Sequence, residues 1–135
     1  MTDRAAVFDL SKTYVHLGLG AVALPVQDFS WEPAFLERYA RETELDGPEG
    51  RLVCITSQEA TWASWERHPA GDELVLQLSG RSVLVQEVEG GERRYELSPG
   101  QAIINPRNVW HTSDVTEPGS VLFVTPGAGT QHRLR

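Results

Sequence analysis

One cysteine is all that this chain of 135 residues carries. Cys54 therefore has no partner for an intrachain disulfide, which fits a reducing compartment. It lies in the apolar run Leu52-Val53-Cys54-Ile55, where a thiol packs as a small apolar side chain rather than acting as a nucleophile. Long apolar runs are missing too, and none approaches the roughly 20 residues that span a bilayer. The opening stretch from Met1 to Leu10 has neither the apolar centre nor the cleavage site of a secretory signal. A cytoplasmic location and no membrane partner are expected. Positive charge is scarce: 12 lysines and arginines face 19 aspartates and glutamates, for a net charge of −7. Such a surface repels phosphate backbones, so no nucleic-acid partner is expected. Internal repeats and low-complexity tracts are absent. The 12 glycines and 8 prolines punctuate the whole chain instead of gathering in a linker.

What is present reads as one domain. Residues 1–50 form a mixed N-terminal extension, 51–127 a β-rich body and 128–135 a C-terminal tail. In the extension, Tyr14 to Val26 is apolar and suits a strand, although Gly18 and Gly20 interrupt it. Ser30 reads as a helix N-cap, with Pro33 in the first turn where a missing N–H is tolerated. Phe35, Leu36, Tyr39 and Ala40 recur at helical spacing, which predicts a short helix over 31–43. The loop Asp46-Gly47-Pro48-Glu49-Gly50 ends it. Beyond Arg51 the pattern becomes short strands at 51–58, 60–68, 73–79, 81–88, 92–97, 101–105, 109–115 and 120–125. Turn formers separate them: Pro69 to Asp72, Gly90-Gly91, Ser98 to Gly100 and Glu117 to Gly119. Serial short strands predict an all-β sandwich or barrel. A barrel of about eight strands encloses room for one small ligand.

The informative stretch is Glu66-Arg67-His68-Pro69-Ala70-Gly71-Asp72-Glu73, followed by Gly80. Residues two apart on a strand share a face, so Trp62, Ser64, Glu66 and His68 project together. The turn from Pro69 to Asp72 then returns the chain with Glu73, or in a different register Asp72, aimed at that pair. Gln77 shares the face of Glu73 and is expected to add a polar contact inside. A second stretch runs from Gly100 through Pro106-Arg107-Asn108 to His111. Two imidazoles and one or two carboxylates suit a borderline divalent metal. His16 and His132 match no pattern and are expected on the surface. Trp65 and Trp110 point away from the metal-facing side and read as structural. Arg107 reads as a turn residue.

The spacing resembles the cupin superfamily. The first motif of that family runs Gly, five residues, His-x-His, three or four residues, Glu, six residues, Gly. Here His68 matches the second His, Glu73 follows after four residues, and Gly80 follows after six more. The second motif runs Gly, five residues, Pro-x-Gly, two residues, His, three residues, Asn. Gly100, Pro106 and His111 match at those intervals. The resemblance covers roughly residues 60–115. The chain departs from the pattern at Glu66, Ala60, Asn108 and Val115. Asn108 is a mild change, because Asn also tolerates positive φ.

The resemblance implies a cupin-type β-barrel, the double-stranded β-helix or jelly roll, with a short N-terminal helix. It implies a divalent metal held by Glu66, His68, Glu73 and His111. Two carboxylates make a harder donor set than three histidines and one Glu, which favours Fe(II) or Mn(II) over Zn(II) or Ni(II). Glu66 is either a ligand or a general base beside the metal. Trp62, Ser64 and Gln77 are the expected substrate-pocket residues. The implied activity is a metal-dependent enzyme of dioxygenase or isomerase type acting on a small polar molecule. The alternative is a non-catalytic module that binds or senses a small molecule. A homodimer is expected, built through the apolar segment from Tyr14 to Val26.

Overall fold

The computed structural model describes residues 6–135, so the start of the N-terminal extension lies outside the described residues. The chain enters through a hairpin, β1 (Tyr14–Gly18) and β2 (Val22–Val26), followed by helix α1 (Pro33–Glu42) and a 3-10 helix at Glu44–Glu49. Then come β3 (Arg51–Gln58), β4 (Ser64–Arg67), β5 (Glu73–Gln77), β6 (Arg81–Val88) and β7 (Gly91–Leu97). The last four strands are β8 (Ala102–Asn105), β9 (His111–Glu117), β10 (Gly119–Thr125) and β11 (Gln131–Leu134). They build a six-stranded sheet in the order β2-β1-β3-β10-β5-β8 and a five-stranded sheet in the order β11-β4-β9-β6-β7. Neighbouring strands run antiparallel in both sheets.

This is the all-β jelly roll expected from the sequence, with one qualification of shape. The two sheets share no strand, so they form an open sandwich and not a continuously closed barrel. Alternation along β5 sends Glu73, Val75 and Gln77 inward and leaves Leu74 at the surface. Val75 packs with Cys54, Val121 and Phe123, and Tyr14, Trp62 and Ile103 close over them. Each large apolar side chain buried there stabilises the fold by roughly 1.5–3 kcal/mol.

Four local expectations are corrected. The segment from Tyr14 to Val26 is two strands and not one, because Gly20 (φ +76°) and Ala21 (φ +59°) turn the chain back. β1 is then hydrogen-bonded to β2 and β3 of its own chain, which leaves β2 as the free edge. Ser30 does not cap α1: its hydroxyl accepts the Glu32 N–H at 3.1 Å, and Glu32 holds the cap position with no side-chain bond. Residues 46–49 carry 3-10 turns broken by a kink at Gly47 (φ +54°), and only Gly50 is extended. Within the expected tail, residues 131–134 form β11 against β4.

At the β5–β6 turn Gly80 has φ +70°, and a Cβ there would meet the Glu117 carbonyl oxygen at 2.5 Å. Only glycine fits both demands. Asn108 adopts φ +62° at the tight turn before β9, the conformation that Asn tolerates. No helix among the described residues is long and apolar enough to cross a membrane.

Candidate metal centre

The turn between β4 and β5 is locked by polar contacts of its own. Asp72 Oδ1 accepts the Arg107 N–H at 2.7 Å, and the Arg107 guanidinium donates to the Ala70 carbonyl at 2.9 Å. Asp72 therefore serves the turn, Arg107 braces it, and Glu73 takes the inward position. Asn108 donates its N–H to the His68 carbonyl at 3.1 Å, tying the two turns together. Register places Glu66 directly opposite His111 across β4 and β9. Glu73 reaches the same point from the other sheet.

The structure brings together the four residues named from the sequence. Glu66, His68, Glu73 and His111 each offer one donor atom, all within 4.8 Å of one another. His68 Nε2 lies 3.1 Å from Glu73 Oε2, and His111 Nε2 lies 3.3 Å from Glu73 Oε1. Glu66 Oε2 stands further off, at 3.6 Å and 3.7 Å from the same two nitrogens. His68, Glu73 and His111 are buried, whereas Glu66 is half-buried.

Neighbouring groups orient each of these side chains. Thr130 donates its hydroxyl to the Gly127 carbonyl at 2.9 Å, so His68 Nδ1, 2.8 Å from Thr130 Oγ1, is the donor in that pair. His111 Nδ1 faces the Val109 carbonyl at 3.2 Å and must also donate. A neutral imidazole with a protonated Nδ1 presents a bare lone pair on Nε2. Both Nε2 atoms are buried, and the carboxylates beside them are not aligned to form a hydrogen bond with either. Glu73 is held by Asn105 Nδ2 at 3.0 Å and by the Thr125 hydroxyl at 2.6 Å. Asn105 in turn accepts from Gln86 Nε2 at 2.9 Å.

Electrostatics point the same way. Burial alone would raise the Glu73 carboxyl, but His111 and His68 beside it hold it well below the usual carboxylate range. Burial alone would lower His111, yet Glu66 and Glu73 together push it up to about 9. Two carboxylates, one of them buried, thus favour positive charge beside the imidazoles. Two imidazole nitrogens with two carboxylates fit a divalent cation. The partners that orient the ligands should matter almost as much as the ligands. Thr130→Val is expected to lower Mn(II) affinity by about 10–100-fold while Thr130→Ser retains it. A competition titration against a chelator reads the difference.

The site opens into a cavity of about 930 Å³. Glu66, His68, Glu73 and Trp62 line it, with Trp62 6.4 Å from His111 ring to ring. Ser64 and Gln77 do not line it, contrary to expectation. The Gln77 amide donates to the Ser79 carbonyl and accepts the Ser82 hydroxyl, which locks the β5–β6 turn. Alternation finds the face but not the depth: Gln77 stands four residues, about 13 Å, along β5 from Glu73.

His16 is buried and not at the surface. Its Nδ1 lies 2.5 Å from the Tyr39 hydroxyl and its Nε2 2.6 Å from Asp46 Oδ2. His132 is exposed, as expected, but its Nε2 reaches Glu66 Oε1 at 3.4 Å. Sequence reasoning missed Thr125, Thr130 and His132 as neighbours of the site, and no motif marks them. Cys54 is buried, and burial raises its thiol to about 12. Trp65 and Trp110 stack with Arg133 on the outer face.

The cupin domain family matches residues 52–127. This chain belongs to that family. As a cupin, it is similar to ureidoglycolate lyase 2 from Rhizobium meliloti (strain 1021), at 38% identity over 80 residues. That match covers 50% of this chain and 49% of the relative, so the cupin spans about half the length of the curated relative it matches. Oxalate decarboxylase from Bacillus subtilis superposes on 70% of the chain and 25% of its own, with a TM-score of 0.53 at 14% identity. A cupin-2 domain protein from Shewanella frigidimarina NCIMB 400 matches 56% of this cupin and 70% of its own chain, with a TM-score of 0.49 and 17% identity. At 14% identity the oxalate decarboxylase match shows the fold alone.

Proposed function

We propose that this cupin is a divalent-metal enzyme that moves a proton on a small organic substrate, an isomerase or lyase. The observation that carries this reading is the pair of buried Nε2 atoms of His68 and His111 beside two carboxylates. His68, His111 and Glu73 would hold Mn(II) or Fe(II). The bound ion would supply Lewis-acid polarisation of a substrate oxygen. Glu66 differs from Glu73 in ways that suit a base: it is half-buried, stands further from the imidazoles and faces the cavity. Oε1 of Glu66 sits against His132, which positions the carboxylate. A carboxylate so placed takes a proton from a carbon next to the polarised oxygen. Trp62 and Phe123, in the cavity wall, keep bulk water from the reacting end. The similarity to a lyase supports proton transfer over oxygen chemistry. A homodimer through the free edge of β2, read by light scattering, belongs to the same proposal.

Elemental analysis of protein purified without a metal-chelating tag tests the foundation, and one Mn or Fe per chain is expected. Proton transfer is then read as metal-dependent deuterium exchange from heavy water into 2-hydroxy and 2-keto compounds. Oxygen uptake without exchange would move the assignment to a dioxygenase. A chain that takes up no divalent metal at all would remove the enzyme reading and leave a ligand-binding module.

A further inference from the structure

Part of the cavity wall comes from the N-terminal extension and not from the β-rich body. Phe29, Trp31 and Leu36, from the segment around α1, line it together with Leu52, Trp62 and Phe123 from the body. The aromatic residues here are fixed by each other. The Phe29 ring lies 4.9 Å from Tyr14, 4.8 Å from Trp31 and 5.0 Å from Phe35, centroid to centroid. Trp31 remains 58% exposed. A large aromatic left open on a cavity wall, backed by other rings, is the feature of a surface that takes up an apolar guest.

Charge in the cavity is one-sided. Glu44, Glu59, Glu66 and Glu73 line it, and among the described lining residues none is a lysine or an arginine. Both ring nitrogens of His16 are taken by Tyr39 and Asp46. His132 sits against Glu66. A carboxylate on the body of a ligand would meet repulsion from these glutamates and find no lysine or arginine to pair with, which disfavours it by charge. Size adds to this. About 930 Å³ is near the upper end of the roughly 300–1,000 Å³ typical of small-molecule sites. A molecule of a few heavy atoms would leave most of that space to water.

We propose that the substrate has a bulky, aromatic or otherwise apolar body, one oxygen-donor head for the metal end, and no second anionic group. This deepens the metal-enzyme reading and rests on it for the head. It replaces the small polar molecule expected from the sequence, because the sequence did not show that α1 brings an aromatic wall to the cavity.

The experiment uses three probes with one chelating head: acetohydroxamate, benzohydroxamate and 4-carboxybenzohydroxamate. Each is titrated into the Mn(II)-loaded full chain in a calorimeter, after a titration with Mn(II) alone. Benzohydroxamate is expected to bind at least tenfold tighter than acetohydroxamate. The 4-carboxy compound is expected to bind at least tenfold weaker than benzohydroxamate. Two substitutions at exposed positions keep the fold and test the cause. Trp31→Ala should shrink the benzo-over-aceto preference severalfold and leave acetohydroxamate unchanged. Ala40→Arg, on the cavity side of α1, should bring the 4-carboxy compound to within about threefold of benzohydroxamate. Mn(II) uptake with equal binding of all three probes overturns this proposal alone, as does a tighter 4-carboxy compound. No Mn(II) uptake overturns it together with the enzyme reading.

Discussion

Glu73→Gln is expected to lower Mn(II) affinity by at least about a hundredfold, and Glu66→Gln by about tenfold or less. The contrast follows from position. Glu73 is buried, stands 3.1 Å and 3.3 Å from the two Nε2 atoms, and is braced by Thr125 and Asn105. The amide keeps its size and can still meet both braces, so the loss is one of charge and donor strength. Groups that merely orient a ligand are worth about 10–100-fold in affinity, so a ligand itself is worth at least that much. Glu66 is half-exposed and further away. Its replacement should spare much of the metal and lower turnover by about 10²–10⁴-fold, the range for a lost general base. The two readouts separate holding a cation from moving a proton. Equal loss of metal in both variants would contradict the division of roles, and full activity in Glu66→Gln would end its assignment as base.

The second large effect is a dependence on pH that changes direction when the metal enters. In the metal-free protein Glu66 and Glu73 raise His111 above its ordinary 6.5, despite burial, to about 9. A raised pKa stabilises fully below the unfolded value and fades as pH climbs through the folded one. The His111 contribution is therefore complete below about pH 6.5 and lost toward pH 9. Glu73 is depressed from 4.5, so its contribution holds above that value and is lost as pH falls toward its folded pKa. The metal-free chain should be most stable between about pH 4.5 and 6.5. A cation needs Nε2 of His111 without its proton, so metal affinity should rise with pH over the interval where the metal-free chain weakens. At a thousandfold excess over Kd a ligand adds about 4 kcal/mol. At ~3 °C per kcal/mol, that is a Tm increase of about 12 °C. Melting curves with and without Mn(II) at pH 6 and pH 8 should show the larger increase at pH 8. The same increase at both values would mean that no imidazole proton competes with the ion.

Much of the body and the reactive cluster was legible in the chain. β3 and β6 fall on the residues expected, because alternation and turn formers mark their ends. The four clustered residues were legible because two rigid turns, Pro69 to Asp72 and Pro106 to Asn108, set their spacing locally. What spacing cannot carry is approach from far along the chain. Thr130 reaches His68 from 62 residues away, and His132 meets Glu66 through a strand whose four residues are all exposed. Such a strand has no hydrophobic alternation to announce it. His16 was misplaced for a related reason. Its partners Tyr39 and Asp46 lie 23 and 30 residues on, and only their convergence makes a buried histidine affordable. Ser64 and Gln77 show the remaining limit: sharing a face with a ligand does not mean sharing its depth.

Helix α1 contains no buried residue, although Leu36 and Tyr39 look into the cavity. The jaw that meets a guest is therefore lightly anchored, fastened to β1 by the Tyr39–His16 contact and by stacked rings. The four clustered side chains are set apart from it, on β4, β5 and β9 and just beyond the end of β4. On the proposed reading, a lineage with this architecture could retune which molecules it admits by altering Phe29, Trp31 or Leu36, and leave the four clustered residues as they were.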